Sequence, residues 1–158
     1  MEIRKRFIKC YVWSVLLYGC ETWTMSTTDE KKIEAVEMWC YRRMLKLSWT
    51  QRKTNKEVLE MASAERNMIT TIRSRQMRFL GHIMRRGELE DLSITGKLNG
   101  KRPRGRPRFT YTEQIRKLIN ENEDHQTMAA NDILHATKDR IYWKHIMEAH
   151  VHKDTAHR

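Results

Sequence analysis

The chain has 158 residues with 31 Lys and Arg against 20 Asp and Glu, a formal charge of +11 on enough length for one ordinary domain with a real core. A surplus of that size on a small domain favours polyanionic partners, with nucleic acid the first candidate and an anionic membrane surface the second. Residues 1–108 hold 24 of the bases and 12 of the acids, whereas residues 109–158 hold 7 and 8, so the last third is electrostatically a different segment.

The N-terminus has a basic start and a short apolar run from Cys10 to Gly19, which superficially matches a signal peptide. The run is too short to span a bilayer, and Lys9 together with the bulky Tyr11, Trp13 and Tyr18 favours a core helix. Nuclear or cytoplasmic residence is expected, not secretion. The helix is expected from Ile3 to Tyr18, with Phe7, Tyr11, Val15 and Tyr18 as its core-facing stripe and Gly19 as its stop. Trp23 should pack.

A second helix is expected to begin between Ser26 and Thr28, where Thr27 and Glu30 have capping-box spacing. Ile33, Val36, Cys40, Met44 and Leu47 form its core stripe, with Trp39 beside it. Thr54 and Glu57 make another capping box, opening a short helix through Val58, Leu59 and Met61. Aromatic residues beside an apolar stripe pack more often than they stack on ligands, so Trp39, Trp49 and Trp143 are all assigned to the core.

The fourth helix, from about Asn67 to Arg86, is the most polarised. At about 100° per residue, Ile69, Ile72, Phe79, Leu80 and Ile83 share about a third of the circumference, and Arg75, Arg78 and Arg85 lie opposite. No acid occurs from Arg66 to Arg86, so the arginines have no i,i+4 partners, and a phosphate-facing surface is favoured over a merely solubilising one. Gly87, Gly96, Gly100 and Gly105 with Pro103 and Pro107 should interrupt helical structure from about Gly87 to Arg108, with a small hairpin within residues 92–101. Helices resume from Thr112 to about Asn122 and from about Met128 to Ala149, anchored by Ile133, Leu134, Ile141, Ile146 and Met147. The expected fold is all-α: a bundle-like body over residues 1–95, a basic linker over 96–111 and a C-terminal helical segment over 112–158.

Catalytic chemistry finds little support in the residue pattern. A two-metal polymerase or nuclease gathers carboxylates at one point, but the acids here are scattered, and the groups at 88–91 and 121–124 read as solvated helix ends. No P-loop, GxSxG or HExxH occurs. The three cysteines Cys10, Cys20 and Cys40 form no CxxC pair and fit a reducing compartment, and Cys40 reads as a buried structural thiol. His145, His150, His152 and His157 match no zinc spacing, so neither metal nor cofactor is expected.

The segment PRGRP, Pro103 to Pro107, matches the core of an AT-hook, in which glycine admits the backbone to a narrow A·T minor groove and Arg104 and Arg106 extend along it. Three readings stay open: groove recognition, sequence-independent phosphate contact, and a plain linker or import signal.

Several stretches together resemble the C-terminal region of endonuclease-reverse transcriptases of non-LTR, LINE-type retrotransposons. They are LLYGCETWT (16–24), EAVEMWCYRRMLKLSWTQRKTNKEVL (34–59), RQMRFLGHIMRR (75–86), GKRPRGRPR (100–108) and TKDRIYWKHIM (137–147). The resemblance runs in order over nearly the whole chain, departing at Phe79 and Tyr111, where tryptophan would be expected. It implies the helical thumb and the region beyond it, gripping an RNA/DNA hybrid or duplex DNA. By that resemblance Arg75, Arg78, Arg85 and Arg86 would line a duplex channel, and Arg102, Arg104, Arg106 and Arg108 would hold a second strand or DNA segment; Lys101, in the same basic run, joins the expected binding set. The paired-aspartate palm and the endonuclease have no counterpart, so a non-catalytic fragment is expected, without the Mg of the full-length polymerase. The alternatives are a protein-interaction module, with the missing palm or a second copy covering exposed apolar faces, and an AT-hook-like DNA-binding protein.

Overall fold

The computed structural model describes residues 1–87, 89–95, 104–105, 109–120 and 128–152. Among the described residues every regular element is helical. The first helical run comprises α1 (Glu2–Phe7), a π-helical segment (Ile8–Trp13) and α2 (Ser14–Leu16). It is followed by α3 (Thr27–Met44), α4 (Asn55–Ala62), α5 (Met68–Arg86), α6 (Leu89–Thr95), α7 (Tyr111–Asn120), α8 (Ala130–Ala136) and α9 (Arg140–His152). The expected all-α body is what the chain forms.

Local sequence chemistry sets many of the boundaries. Ser26 caps α3 reciprocally with Asp29, one position earlier than the Thr27–Glu30 pair read from the sequence. Thr54 and Glu57 do the same for α4, as expected. Gly19 and Gly87 end helices with φ of 66° and 67°, a conformation that an L side chain adopts only at a cost. The α3 end is closed by Lys46 at φ 56°, with the Leu47 N–H reaching the Arg42 carbonyl at 3.0 Å and the Lys46 N–H reaching that of Arg43 at 3.1 Å.

Helix α5 is the centre of the structure. Its first half supplies Met68, Ile69 and Ile72 to a cluster with Trp13, Leu17, Cys20 and Met25. Its second half supplies Met77, Leu80 and Met84 to a cluster with Ile115, Leu118, Ile119, Ile133, Trp143 and Ile146. The second half of α5 thus shares a cluster with α7, α8 and α9. A third cluster joins α3 to α4 through Met38, Tyr41, Met44, Val58 and Ala62. Each of these large apolar side chains, fully buried, contributes about 1.5–3 kcal/mol.

The buried amide of Gln76 fixes the register of α5. Its Nε2 donates to the carbonyls of Cys20 (3.1 Å) and Trp23 (3.0 Å), and its Oε1 accepts from Gln114 Nε2 at 3.0 Å. Gln114 Oε1 in turn accepts from the Met25 N–H at 2.7 Å, and Tyr111 OH donates to the Gln76 carbonyl at 2.9 Å. One satisfied network ties α5 and α7 to the turn before α3, where a shift by one residue would strand its polar groups.

Several sequence expectations are corrected. Phe7, Tyr11, Val15 and Tyr18 are exposed, Tyr18 at 86%. The buried seam of that helix is Trp13 and Leu17, with Ile8 and Leu16 partly packed. The run is apolar on two sides, and periodicity has no basis for choosing between them. Trp39 and Trp49 are exposed at 60% and 88%, whereas Trp143 is core and Trp23 packs against the first cluster. Met61 and Ile141 are exposed as well. Residues 89–95 are helical, because LEDLSIT contains no glycine or proline and opens with acids. That excludes a hairpin strand over 92–95, and the rest of the expected hairpin lies outside the described residues. The last helix is broken at 137–139, where the Thr137 hydroxyl turns back to the Leu134 carbonyl and Asp139 Oδ1 accepts from the Ile141 and Tyr142 N–H groups to start α9.

Candidate nucleic-acid interface

The basic face of α5 exists because its apolar residues are committed to the two clusters on the other side. Arg75, Arg78, His82 and Arg85 recur at intervals of three, four and three, a spacing that places them in one row along the helix. Arg78, His82, Arg85 and Arg86 are exposed, and Arg75 is partly so.

Two members of the row are held in place. Arg75 Nη1 donates to the Leu17 carbonyl at 3.3 Å and lies 3.9 Å from a carboxylate oxygen of Glu21. Arg85 Nη1 donates to the Thr137 carbonyl at 2.9 Å, at the end of α8. A guanidinium has five N–H donors, so one bond to a carbonyl orients the group and leaves most of its donors for a phosphate. Arg78 makes no hydrogen bond or ion pair among the described residues.

The absence of acids within α5 does not leave all its arginines unpaired. Arg66, just before the helix, meets Glu34 at 3.6 Å, and the buried Arg73 meets Glu30 at 3.1 Å. Both acids come from α3, across the helix interface, where i,i+4 reasoning does not reach. Arg73 is thereby structural, and the arginines of α5 open to a ligand are those of the outer row.

The amino end of α5 has no side-chain cap of its own. The carboxylate of Glu37, from α3 and itself buried, accepts from the Asn67 N–H (3.0 Å) and the Met68 N–H (3.3 Å) instead. Burial pushes the Glu37 carboxyl above its usual range, against the pull of those two donors. Sequence reasoning misses Glu37; its one signal is an acid on the apolar side of α3, one position after Val36.

The basic strap, residues 100–108 of the linker, is described at residues 104 and 105. Arg104 is exposed, and Gly105 takes φ 120°, a conformation that suits glycine and little else. Lys101, Arg102, Arg106 and Arg108 lie outside the described residues. Just after the strap, Lys117 Nζ sits 4.9 Å from the centre of the Phe109 ring, joining the strap's end to α7.

Other chemistry is sparse. Burial pushes the Cys20 and Cys40 thiols upward, which keeps them protonated and poorly nucleophilic at neutral pH. Burial likewise raises Tyr41 to about 12 and moves Tyr111 in the same direction. Among the described residues no three His, Cys, Asp or Glu gather in a way that could hold a metal ion, and no helix is long and apolar enough to cross a membrane. A cleft of 1230 Å³ bordered by α1, α3, α4 and the start of α5 mixes Lys5, Lys31 and Lys56 with Glu30, Glu34 and Glu60, so it lacks the single-sign field a polyanion seeks.

In comparisons with known proteins, no family model, no curated protein and no solved structure matches this chain.

Proposed function

We propose that the chain is a non-catalytic nucleic-acid-binding helical region of the kind that lies beyond the polymerase palm in LINE-type reverse transcriptases, and that it grips an RNA/DNA hybrid or duplex DNA. The observation that carries this reading is the outer row of α5, in which Arg75 and Arg85 are oriented by backbone carbonyls while Arg78 stays free. Oriented cations lose less side-chain freedom on meeting phosphates than mobile ones do. The resemblance of residues 34–59 and 75–86 supplies the setting. The exposed Arg104 extends the same charge into the strap.

The test is a fluorescence anisotropy titration of the full chain with hybrid and duplex 20-mers from 50 to 200 mM salt. Affinity should fall steeply as salt rises, since binding releases counterions from the phosphates. Affinity independent of salt over that range overturns the reading.

A second reading, a protein-interaction module, is favoured by one observation. Ile3, Phe7, Tyr11, Val15 and Tyr18 leave an apolar strip of the first helical run in solvent, with Phe7 and Tyr11 stacked at 5.6 Å. Such strips mark association surfaces. Sedimentation distinguishes the readings: self-association that Phe7→Ser and Tyr18→Ser abolish supports the module, and a clean monomer counts against self-association through this strip.

A further inference from the structure

Residues 38–56 contain six bases, Arg42, Arg43, Lys46, Arg52, Lys53 and Lys56, and no acid. The same stretch holds Trp39 and Trp49, both in solvent. Trp39, Arg43 and Lys46 are all exposed; Trp39 and Arg43 are one turn apart on α3, and Lys46 follows just past its end, on the way to the turn that carries Trp49. The Arg43 guanidinium lies over the Trp39 ring at 5.6 Å.

The turn is fixed rather than loose. Arg42 Nη2 donates to the Lys53 carbonyl at 3.2 Å and to Asn55 Oδ1 at 2.7 Å, holding the segment after Trp49 against the end of α3. The Ser48 hydroxyl accepts from the Thr50 N–H at 3.4 Å, bracing the single 3-10 turn Trp49–Gln51. Lys46 and Arg52, on either side of Trp49, both have left-handed backbone, with φ of 56° and 46°. Glycine would occupy those positions with less strain. Instead both carry long cationic side chains that are exposed and make no bond among the described residues.

A tryptophan in solvent on a braced turn, between two strained cations and in an acid-free stretch, lacks a packing explanation. It has the composition of a surface that stacks bases while neutralising the adjacent phosphates. From this juxtaposition we infer that the second half of α3 and the turn after it bind single-stranded nucleic acid. Unpaired bases would stack on Trp49 and on the Trp39–Arg43 pair, and Lys46, Arg52 and Lys56 would meet the backbone phosphates. This rests on the nucleic-acid reading above and adds to it a separate site for unpaired bases, away from the α5 row. A duplex keeps its bases stacked on one another and cannot use an indole in this way, so the two sites are separable by ligand.

The test uses the full chain with dT12, rU12 and a 20-base-pair duplex, comparing the native protein with Trp39→Ala, Trp49→Ala and Trp49→Phe. The substituted side chains are exposed, and helical content by circular dichroism should be unchanged. Each alanine variant should lose about tenfold in affinity for dT12 or rU12, Trp49→Phe should retain most of it, and duplex affinity should stay within about twofold. Single-strand affinity that survives both alanine substitutions overturns the inference and leaves the α5 reading standing. Failure to bind any of the three ligands overturns both. If the alanine variants leave binding unchanged but convert a self-associating chain to a monomer, the patch is an interface between copies and the inference falls.

Discussion

The Trp143 indole N–H donates to the main-chain carbonyl of Met77 across 2.9 Å, joining positions 66 apart in sequence. Gly81, one turn along α5 from Met77, is the residue that leaves room for the ring. A Cβ at Gly81 would lie 2.6 Å from both Cδ1 and Nε1 of Trp143 and 3.0 Å from Arg85 Nη1. The indole is buried and cannot swing aside. Gly81→Ala should therefore destabilise the fold by about 1–3 kcal/mol through overpacking, outweighing the gain of about 1 kcal/mol in helix propensity. Urea unfolding checks this: the midpoint should fall with the m-value unchanged, and a stabilised variant would show that the ring is not seated there.

Glu37 gives a pH-dependent prediction. Its folded-state carboxyl holds a proton more tightly than the unfolded one, because burial raises it above 4.5. Below 4.5 both states are protonated and the group makes no difference; as pH rises toward the raised value, ionisation costs more in the folded state and stability is lost. Glu37→Gln should therefore gain on the native protein as pH rises above 4.5, measured as the difference in urea midpoint. The opposite trend would mean that the Asn67 and Met68 donors and the α5 dipole outweigh burial. Glu37→Ala should cost about 1–3 kcal/mol at either pH, since both donors lose their acceptor.

Gln76 and Gln114 should behave as one unit. Gln76→Leu leaves the Trp23 carbonyl and the Gln114 Nε2 group without the partner Gln76 supplies and takes one of two donors from the Cys20 carbonyl, a loss of about 3 kcal/mol from groups each worth about 1–3. Gln76→Leu/Gln114→Leu should cost clearly less than the sum of the single changes, by about 1 kcal/mol or more in a double-mutant cycle. Strict additivity would show that the two amides do not depend on each other.

On nucleic acid, the row divides by partner. Arg78→Ala should reduce the slope of log affinity against log salt by about 0.9 on duplex DNA without altering stability. Arg75→Ala and Arg85→Ala should lower both binding and thermal stability, because each also releases a carbonyl, of Leu17 and of Thr137. Anisotropy titrations paired with melting curves separate the two classes; an Arg78→Ala variant with an unchanged slope removes that residue from the contact.

The features legible in the sequence are mostly local. The Thr54–Glu57 box, the α5 boundaries and the acid-free basic face all come from spacing, since their partners lie within one helical turn. The Ser26–Asp29 box is displaced by one residue because both serine and threonine stand at the start of α3. Partners supplied by another helix leave no such trace: Glu30 and Glu34 neutralise Arg73 and Arg66, and Glu37 caps α5, across an interface that no local window spans. The tryptophans mislead for a related reason. Hydrophobicity alone puts Trp39, Trp49 and Trp143 in the core, but Trp143 has the gap above Gly81 to enter, whereas Trp39 lies under the Arg43 guanidinium and Trp49 stands in solvent. In the first helical run the choice between two apolar faces is made by what the Met68–Ile72 surface can accept, Trp13 and Leu17.

The contact between Trp143 and Met77 also has a consequence in time. Chains leave the ribosome amino end first, at about 5–20 residues per second. The 66 positions that separate Met77 from its indole cover therefore correspond to a wait of roughly 3–13 s. For most of that interval Met77, Leu80 and Met84 have neither the α8 side chains nor Trp143 over them. The newborn chain passes through a stage in which the half of α5 that ends in Arg85 and Arg86 is greasy on one side and cationic on the other, a form suited to capture by chaperones before its own tail arrives.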